Sequence, residues 1–411
     1  MSAKWTFMVY MAGNNSLSGA AATDLREMQK VAASEAVKAT AFIKQARTPA
    51  RRILLGKAGH DESETLPDNT DSGSPQTVVD FVRWAIKKAP AARYALVLWN
   101  HGGGWTPDDF DQLYQQVRGG TTDPAHRHES NRLSSRKLSR AVFTSTIKTV
   151  LSLESADERA ICSDDVTGHS LDTIEVARIL DVARKEIGRP LDLFGMDACL
   201  MSTLEVAYEV RANAGTVVGS EELEPGAGWC YDAILGDLTA APDMDGSALG
   251  KVVVQRYVDS YRKLPSQWPI TQCAVDTTRI EEFTKKLDAL VAALRGRLPG
   301  AWSEILQAQA RTTSFEFEML DLRTFCRALL VATSDGKLKT AAQDVIRALT
   351  PGDYVLAEGH LGPKVEECGG VSLYLPSPTS SSVSRYYKDL SFAKRHRWDE
   401  FLGEYFRAVK G

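Results

Sequence analysis

The sequence lacks a hydrophobic run that could cross a bilayer, because no apolar stretch approaches the roughly 18 residues that a membrane-spanning helix needs. It also lacks an excess of either charge, since 49 basic and 53 acidic residues give a formal net charge of −4. This balance leaves no electrostatic footprint for nucleic acid. We therefore expect neither a membrane nor a nucleic acid as a partner.

Paired cysteines are missing as well. None of the six cysteines belongs to a C-x-x-C pair, and they are scattered over positions 162, 199, 230, 273, 326 and 368. In a chain of 411 residues this scatter argues against a disulfide framework and against a structural zinc site. Most of these thiols are expected to be small, buried and reduced, so a reactive cysteine must be recognised from its context.

The start of the chain carries no signal-peptide pattern. One lysine precedes the apolar run Trp5-Thr-Phe-Met-Val-Tyr-Met11, which is too short for a signal core followed by a cleavage site. We interpret this run as a first strand and expect a cytoplasmic protein. A secreted protein whose signal has been removed would start in the same way, so secretion is the alternative.

Apolar runs alternate with amphipathic stretches in the first half of the chain, which is typical of βαβ units and a parallel sheet. The expected strands are 5–11, 39–45, 52–56, 94–100, 191–196 and 215–219, and the expected helices are 23–36, 75–89, 172–188 and 200–211. Further on we expect helices at 246–262, 279–296, 301–311, 318–332, 337–348 and 398–409, with extended runs at 271–276 and 369–376. The pattern predicts an α/β domain over 1–230 and a mostly helical region, 231–411, packed on it.

Two of the expected strands end in a reactive side chain. Tyr94-Ala-Leu-Val-Leu-Trp-Asn is followed by His101 and Gly102, and Leu191-Asp-Leu-Phe-Gly-Met is followed by Asp197-Ala-Cys199. The carboxyl ends of parallel strands meet at one edge of a sheet, where α/β proteins bind ligands. We therefore expect the His101 imidazole and the Cys199 thiol to come together there, as a base and a nucleophile.

These side chains suit acyl transfer from a peptide bond. A thiol with an ordinary pKa of about 8.5 is mostly protonated at neutral pH, and an adjacent imidazole can take its proton and pass it to the leaving amine. The N–H groups of Gly102 and Cys199 are candidates for an oxyanion hole. Because a helix is expected directly after Cys199, its positive end would also favour the thiolate. The pattern predicts a cysteine peptidase.

Several motifs resemble those of a known family. His-Gly after one strand and Asp-Ala-Cys after a later one resemble the peptidase clan of caspases, legumain and gingipain, and within that clan the chain looks like the clostripain family. The segments that carry the resemblance are 10–15, 74–81, 96–105, 196–201, 220–226 and 370–376. They cover the part of the chain up to about residue 230 well and the remainder thinly.

The resemblance implies a caspase-like, mostly parallel sheet flanked by helices, a dyad of His101 and Cys199, and endopeptidase activity after Arg or Lys at P1. It also implies that Asp197 reaches the floor of the S1 pocket, where a carboxylate can bind a guanidinium in a bidentate pair. The alternative for Asp197 is a cap on the helix that follows. Glu221 and Glu222 match an acidic pair of the family and are candidates for the pocket wall, with solvated loop carboxylates as the alternative.

The resemblance bears on activation too. Family members are often zymogens cut in the loop after the histidine strand, which here is the polar stretch 106–168, rich in Arg and Lys. We expect cleavage in this stretch, by the chain itself or by an upstream protease, with a surface insertion carrying a short helix near 134–152 as the alternative. Cys199 follows His101 by 98 positions, more than is expected for the family. No Asp/Asn cluster here has calcium-loop spacing, so we expect neither a cofactor nor a metal. Calcium dependence, which some relatives show, is the alternative.

Two other functions compete with this one. The segment 101–105 also resembles the oxyanion motif of α/β-hydrolase esterases, which need a G-x-S-x-G elbow. The nearest match, Gly168-His-Ser170, lacks the final glycine. The other competitor is a caspase-like scaffold without activity that serves as an interaction module. Replacing Cys199 with Ala separates the cases, because a binding module would keep its phenotype.

Overall fold

A mixed nine-stranded sheet forms the centre of the structure. The structure is a computed structural model, and it describes residues 3–31, 34–56, 60–102, 161–164, 167, 169–263, 268–379, 381, 383–384 and 387–411. Its strands are β1 (Ala3–Gly13), β2 (Val37–Gln45), β3 (Arg51–Leu54), β4 (Glu62–Thr65), β5 (Ala91–Trp99), β8 (Leu191–Asp197), β9 (Ala214–Gly219), β10 (Ile270–Asp276) and β12 (Val355–Leu361). Two small antiparallel sheets pair β6 (Ile161–Asp164) with β7 (His169–Leu171) and β11 (Met319–Asp321) with β13 (Ser372–Tyr374).

The sheet order is β12-β10-β9-β8-β5-β1-β2-β3-β4. The five central strands, from β9 to β2, are parallel, and the strands at both edges pair in the antiparallel sense. This arrangement confirms the predicted caspase-like, mostly parallel α/β fold.

Helices cover both faces of the sheet. They are α1 (Ser18–Lys30), α2 (Pro75–Lys88), α3 (Thr173–Ile187), α4 (Leu204–Val210), α5 (Tyr231–Ala240), α6 (Gly246–Arg262), α7 (Ile280–Ala310), α8 (Leu322–Ala332), α9 (Gly336–Ala348), α10 (Ser391–His396) and α11 (Trp398–Lys410). Side chains of β1 alternate between the two cores: Phe7 and Val9 pack with α1, α5 and α6, whereas Met8 and Tyr10 pack with α2 and α3. A central parallel strand is therefore apolar on both faces, which is why its sequence is a continuous hydrophobic run.

Helix bounds depart from the expected ones where apolar periodicity is weak. α1 starts five positions earlier than expected, because its first turn, Ser18-Gly-Ala-Ala, has little apolar periodicity. The two helices expected at 279–296 and 301–311 form one element, α7, which contains Pro299 and is kinked at Ala301. Proline in a helix interior disrupts the hydrogen-bond ladder and kinks the helix.

Residues 231–411 are mostly helical, and they also supply β10 and β12 to the central sheet. α7, α8, α9 and α11 contribute to the same core as α2 and α3. The division of the chain at residue 230 stays a prediction. Most of the stretch 106–168, including the helix expected near 134–152, lies outside the described residues. Among the described helices, none combines the length and apolarity that crossing a membrane requires.

Candidate active site

His101 and Cys199 stand at matching positions beyond neighbouring strands. β5 and β8 pair in parallel, and Trp99 at the end of β5 lies opposite Asp197 at the end of β8. His101 and Cys199 each follow two residues later. Both side chains line the same open cavity, together with Asp197 and Glu224. Strand register thus brings together two residues that are remote in sequence.

Gly102 lets the two strand ends approach closely. A Cβ atom at this position would lie 2.8 Å from the Cβ of Ala198 and 3.0 Å from the backbone nitrogen of Cys199. Such contacts leave no room for a side chain, so the backbone after His101 packs directly against the turn that carries the thiol. The two N–H groups predicted for an oxyanion hole therefore belong to backbone segments that touch.

Burial keeps both reactive groups uncharged. It lowers the pKa of His101 to about 3. Burial also raises the pKa of the Cys199 thiol well above its ordinary value, and the charge of Glu224 adds to this effect. The Cys199 Sγ accepts a hydrogen bond from the Glu224 backbone N–H at 3.1 Å and donates to the Glu224 carbonyl oxygen at 3.7 Å. These pKa shifts favour the uncharged form of both side chains.

The segment after Cys199 does not continue into a helix as expected. Leu200 is fully buried and has a φ of +60°, a left-handed backbone conformation that costs a non-glycine residue about 1–2 kcal/mol. α4 begins only after Thr203, whose Oγ1 accepts a hydrogen bond from the Val206 N–H at 3.1 Å. The predicted assistance of a helix end at Cys199 is therefore wrong, as is the alternative that Asp197 caps this helix.

Asp197 points its carboxyl group into the buried side of the cavity. Its Oδ2 accepts hydrogen bonds from the Tyr231 hydroxyl at 2.8 Å and from the Trp229 N–H at 3.2 Å. A Cβ atom on Gly228, where φ is +55°, would lie 3.1 Å from both carboxyl oxygens. Burial raises the pKa of Asp197 to about 6.

Glu224 is the second carboxyl group of the cavity, and our sequence reasoning missed it. It is buried and hydrogen-bonds to the Asp197 carboxyl group, while its Oε1 accepts from Gln272 Nε2 at 3.1 Å. Burial raises the pKa of Glu224 well above its ordinary value, and the charge of Asp197 raises it further, so a proton on Glu224 can bond the two groups. No basic side chain in the described part of the chain pairs with either carboxyl group. The one sequence signal was its place in the Ser-Glu-Glu-Leu-Glu-Pro-Gly motif.

Glu221 and Glu222, the other pocket candidates, lie elsewhere. Glu222 is buried and its Oε2 accepts from Lys364 Nζ at 2.6 Å. Glu221 is buried beside Asp321 and the backbone of Gly370. The structure places these two side chains neither at the cavity nor in solvent.

A possible metal-binding group among the described residues contains Glu221, Asp321 and Cys368. Their donor atoms lie within 4.8 Å of one another, and all three side chains are buried. The two oxygens of Asp321 already accept backbone N–H groups at 2.6 and 2.7 Å, and the positive charge of Arg323 acts on Glu221. These contacts account for the group as a structural cluster.

The loop after β1 also reaches the site, which the sequence did not predict. Ser16 Oγ lies 3.0 Å from His101 Nε2. Asn15 donates from its side-chain amide to Asn100 Oδ1 at 3.0 Å, and the same oxygen accepts the His101 backbone N–H at 2.5 Å. Asn15 belongs to the motif at 10–15, so this motif contributes to holding the histidine.

A buried thiol and imidazole at the carboxyl edge of a parallel sheet, in this topology, define the class of caspase-like cysteine peptidases. The clostripain family (peptidase family C11) matches residues 9–154 and 142–405. The chain belongs to the clostripain family, which confirms the resemblance predicted from its motifs.

Known proteins support this assignment at different levels. Clostripain of Hathewaya histolytica is 25% identical over 270 residues, which are 58% of this chain and 42% of clostripain, so the match spans less than half of that relative. An inactive zymogen C11 protease from Parabacteroides distasonis superposes with a TM-score of 0.65 at 18% identity, covering 96% of this chain and 99% of that one. A secreted C11 cysteine protease from Bacteroides thetaiotaomicron, in complex with an irreversible peptide inhibitor, gives 0.63 at 17% identity, with 97% and 99% coverage. Because the sequence identities are this low, the two superpositions show only that the fold is shared.

Proposed function

We propose that this chain is a cysteine endopeptidase that cleaves peptide bonds after arginine or lysine, with Cys199 as nucleophile and His101 as base. One observation carries the specificity: the cavity that holds the dyad also holds the buried carboxyl groups of Asp197 and Glu224, with no basic partner among the described residues.

Two neighbouring buried carboxyl groups cannot both ionise readily without a compensating positive charge. A P1 guanidinium or ammonium supplies that charge. A cationic side chain is therefore the substrate group that this pocket favours, and an acidic one is excluded by repulsion.

The proposed reaction follows from the dyad. The Cys199 thiol transfers its proton to the His101 ring, and the sulfur attacks the carbonyl carbon of the P1 residue. The proton then passes from His101 to the leaving amine, the C–N bond breaks, and a thioester remains. Water attacks this thioester with His101 as base, and the proton returns to the sulfur as the acid product leaves.

The oxyanion of the tetrahedral intermediate is assigned to the N–H groups of Gly102 and Cys199. Their backbones are in contact, and an oxyanion hole needs two donors aimed at one point. This role stays a prediction.

Activation is proposed to involve cleavage in the stretch 106–168, by the chain itself or by an upstream protease. The neutral, buried dyad supports an uncleaved form that must rearrange before it can react. One structural relative is described as an inactive zymogen. The cytoplasmic location and the absence of a cofactor stay expectations, and one relative is described as secreted.

The test uses fluorogenic peptides that differ only at P1, with Arg, Lys, citrulline or Asp. We expect turnover of the Arg and Lys peptides, and no turnover in Cys199→Ala or His101→Ala. The matched control is Cys326→Ala, which removes another buried thiol, one in α8. Sequencing the fragments of the purified protein locates any self-cleavage. Turnover after Asp alone, or full activity of Cys199→Ala, would refute the proposal.

A further inference from the structure

The loop after β1 contacts the imidazole ring that the proposed mechanism uses. Ser16 Oγ lies 3.0 Å from His101 Nε2, within hydrogen-bonding distance. In the proposed mechanism the thiol proton then goes to the other ring nitrogen, Nδ1. We propose that Ser16 is a positioning residue: its hydroxyl oxygen accepts a hydrogen bond from Nε2–H and thereby fixes the tautomer and orientation of His101.

The fold holds Ser16 in place through the residues around it. Asn15 Nδ2 donates to Asn100 Oδ1 at 3.0 Å and to the Ala12 carbonyl oxygen at 3.1 Å, while Asn15 Oδ1 accepts the Leu17 N–H at 2.9 Å. Asn100 Nδ2 donates to the same carbonyl of Ala12 at 2.8 Å. These bonds tie the loop after β1 to the loop after β5 next to the imidazole. The contact is therefore part of a built arrangement.

The tautomer decides whether the ring can act as a base. A neutral imidazole carries one N–H, and the other nitrogen has the lone pair that accepts a proton. If the proton sat on Nδ1, that nitrogen could not receive the thiol proton. A hydroxyl oxygen that accepts from Nε2–H favours the opposite tautomer, in which Nδ1 carries the lone pair.

The same contact acts after proton transfer. The imidazolium is disfavoured here, because burial lowers the pKa of His101 to about 3. Once the ring is charged, the hydrogen bond from Nε2–H to Ser16 Oγ becomes charge-assisted and therefore stronger. Ser16 thus stabilises the charged form of His101 that exists only during the reaction.

This inference rests on the proposed function, and its test begins from the active protein. Each rate is divided by the concentration of active sites, which is measured by titration with an arginine-directed acyloxymethyl ketone. Differences in processing between variants then do not affect the comparison of rates. We expect Ser16→Ala to lower kcat for the Arg peptide about tenfold, equivalent to about 1.4 kcal/mol, because the charged ring loses its acceptor. KM is expected to change by less than about twofold, because Ser16 does not touch the two carboxyl groups.

The pH profile separates positioning from a merely structural role. Removing the acceptor destabilises the imidazolium, so the ring loses its proton at lower pH. The acid limb of kcat/KM, where protonation removes the base, is therefore expected to move down by roughly one pH unit in Ser16→Ala, which corresponds to the tenfold loss of rate. A variant that only loosens the loop would lower the rate and leave both limbs in place.

Two comparisons complete the design. Thr and Val have nearly the same shape, so Ser16→Thr is expected to retain kcat and the wild-type profile, whereas Ser16→Val should resemble Ser16→Ala. Ser18→Ala removes a hydroxyl two residues away, whose Oγ accepts the Ala46 N–H at 3.1 Å, and should leave the profile unchanged.

Equal rates and pH profiles in the Thr and Val variants would overturn the inference, even where both variants have lost stability. An unshifted acid limb in Ser16→Ala would do the same. If wild type is active and His101→Ala is as active as wild type, the proposed function itself fails, and Ser16 has no base to position.

Discussion

At the scale of the residue, the site is governed by ionisable groups whose pKa values burial shifts towards the uncharged form. The Asp-Ala-Cys motif was enough to single out Asp197 from the sequence. Glu224 was not predictable, because three glutamates lie within four positions and their sequence gives no sign of which one turns inward. The choice depends on tertiary contacts: Lys364 pairs with Glu222, and Gln272 pairs with Glu224.

Replacing Asp197 with Asn should abolish the preference for a basic P1 residue. The pocket then offers a neutral amide where a buried carboxylate would bind a guanidinium, so kcat/KM for the Arg peptide should fall roughly 100-fold. The citrulline peptide, which has the same shape without the charge, should be affected far less. Asp232→Asn, which removes a carboxylate paired with Lys30 outside the cavity, is the matched control. Equal losses for both peptides would contradict the assignment of Asp197 to S1.

The preference for a basic P1 residue should also depend on pH. Asp197 has a pKa raised to about 6, so below this value the pair is protonated and attracts a cation weakly. The ratio of kcat/KM for the Arg peptide to that for the citrulline peptide should therefore rise with pH, with a midpoint near 6. Protonation of the dyad changes kcat/KM for both peptides by the same factor, so it cancels in the ratio. A ratio independent of pH would exclude ionisation of the pair as the source of specificity.

At the scale of the element, strands were easier to predict than the turns that carry the chemistry. Central strands buried on both faces leave continuous apolar runs, whereas β4, Glu-Ser-Glu-Thr, is exposed along its whole length and was missed. The turn after Cys199 was mistaken for helix because Leu200-Met-Ser-Thr-Leu has the composition of one. The left-handed backbone conformation of Leu200 depends on tertiary contacts, because the Leu200 N–H donates a hydrogen bond to the Glu222 carbonyl oxygen at 3.3 Å.

Gly102→Ala should push the two catalytic strand ends apart. The added Cβ would lie 2.8 Å from the Cβ of Ala198, so we expect a loss of about 1–3 kcal/mol in the free energy of unfolding and a loss of activity. Gly236→Ala in α5 is the control, since nothing lies within 4 Å of its added Cβ. It should keep activity and unfold no more easily than wild type, because alanine favours a helix. Chemical denaturation of both variants measures the difference.

At the scale of the whole molecule, both parts of the chain contribute to one sheet. α/β alternation in the sequence predicted its parallel centre, but β12, half-buried and containing Gly359, has no strict alternation and was not anticipated. Edge strands bury less apolar surface, so their sequences carry a weaker signal. The site lies at the parallel centre, and this explains why its main residues were predictable when the sheet edges were not.

Activity should not depend on calcium. The candidate cation ligands of the described residues are a buried group in which Asp321 already accepts two backbone hydrogen bonds. Dialysis against EDTA is therefore expected to change kcat/KM for the Arg peptide by less than about twofold, with the dye-measured unfolding temperature unchanged. Recovery of lost activity on adding back calcium, but not magnesium, would show this expectation to be wrong.

The pairing of Trp99 with Asp197 sets the geometry of the dyad through backbone hydrogen bonds between two adjacent strands. Sliding either strand by a single residue would turn the reactive side chains to opposite faces of the sheet. The alignment of β5 with β8 is thus closed to evolutionary drift.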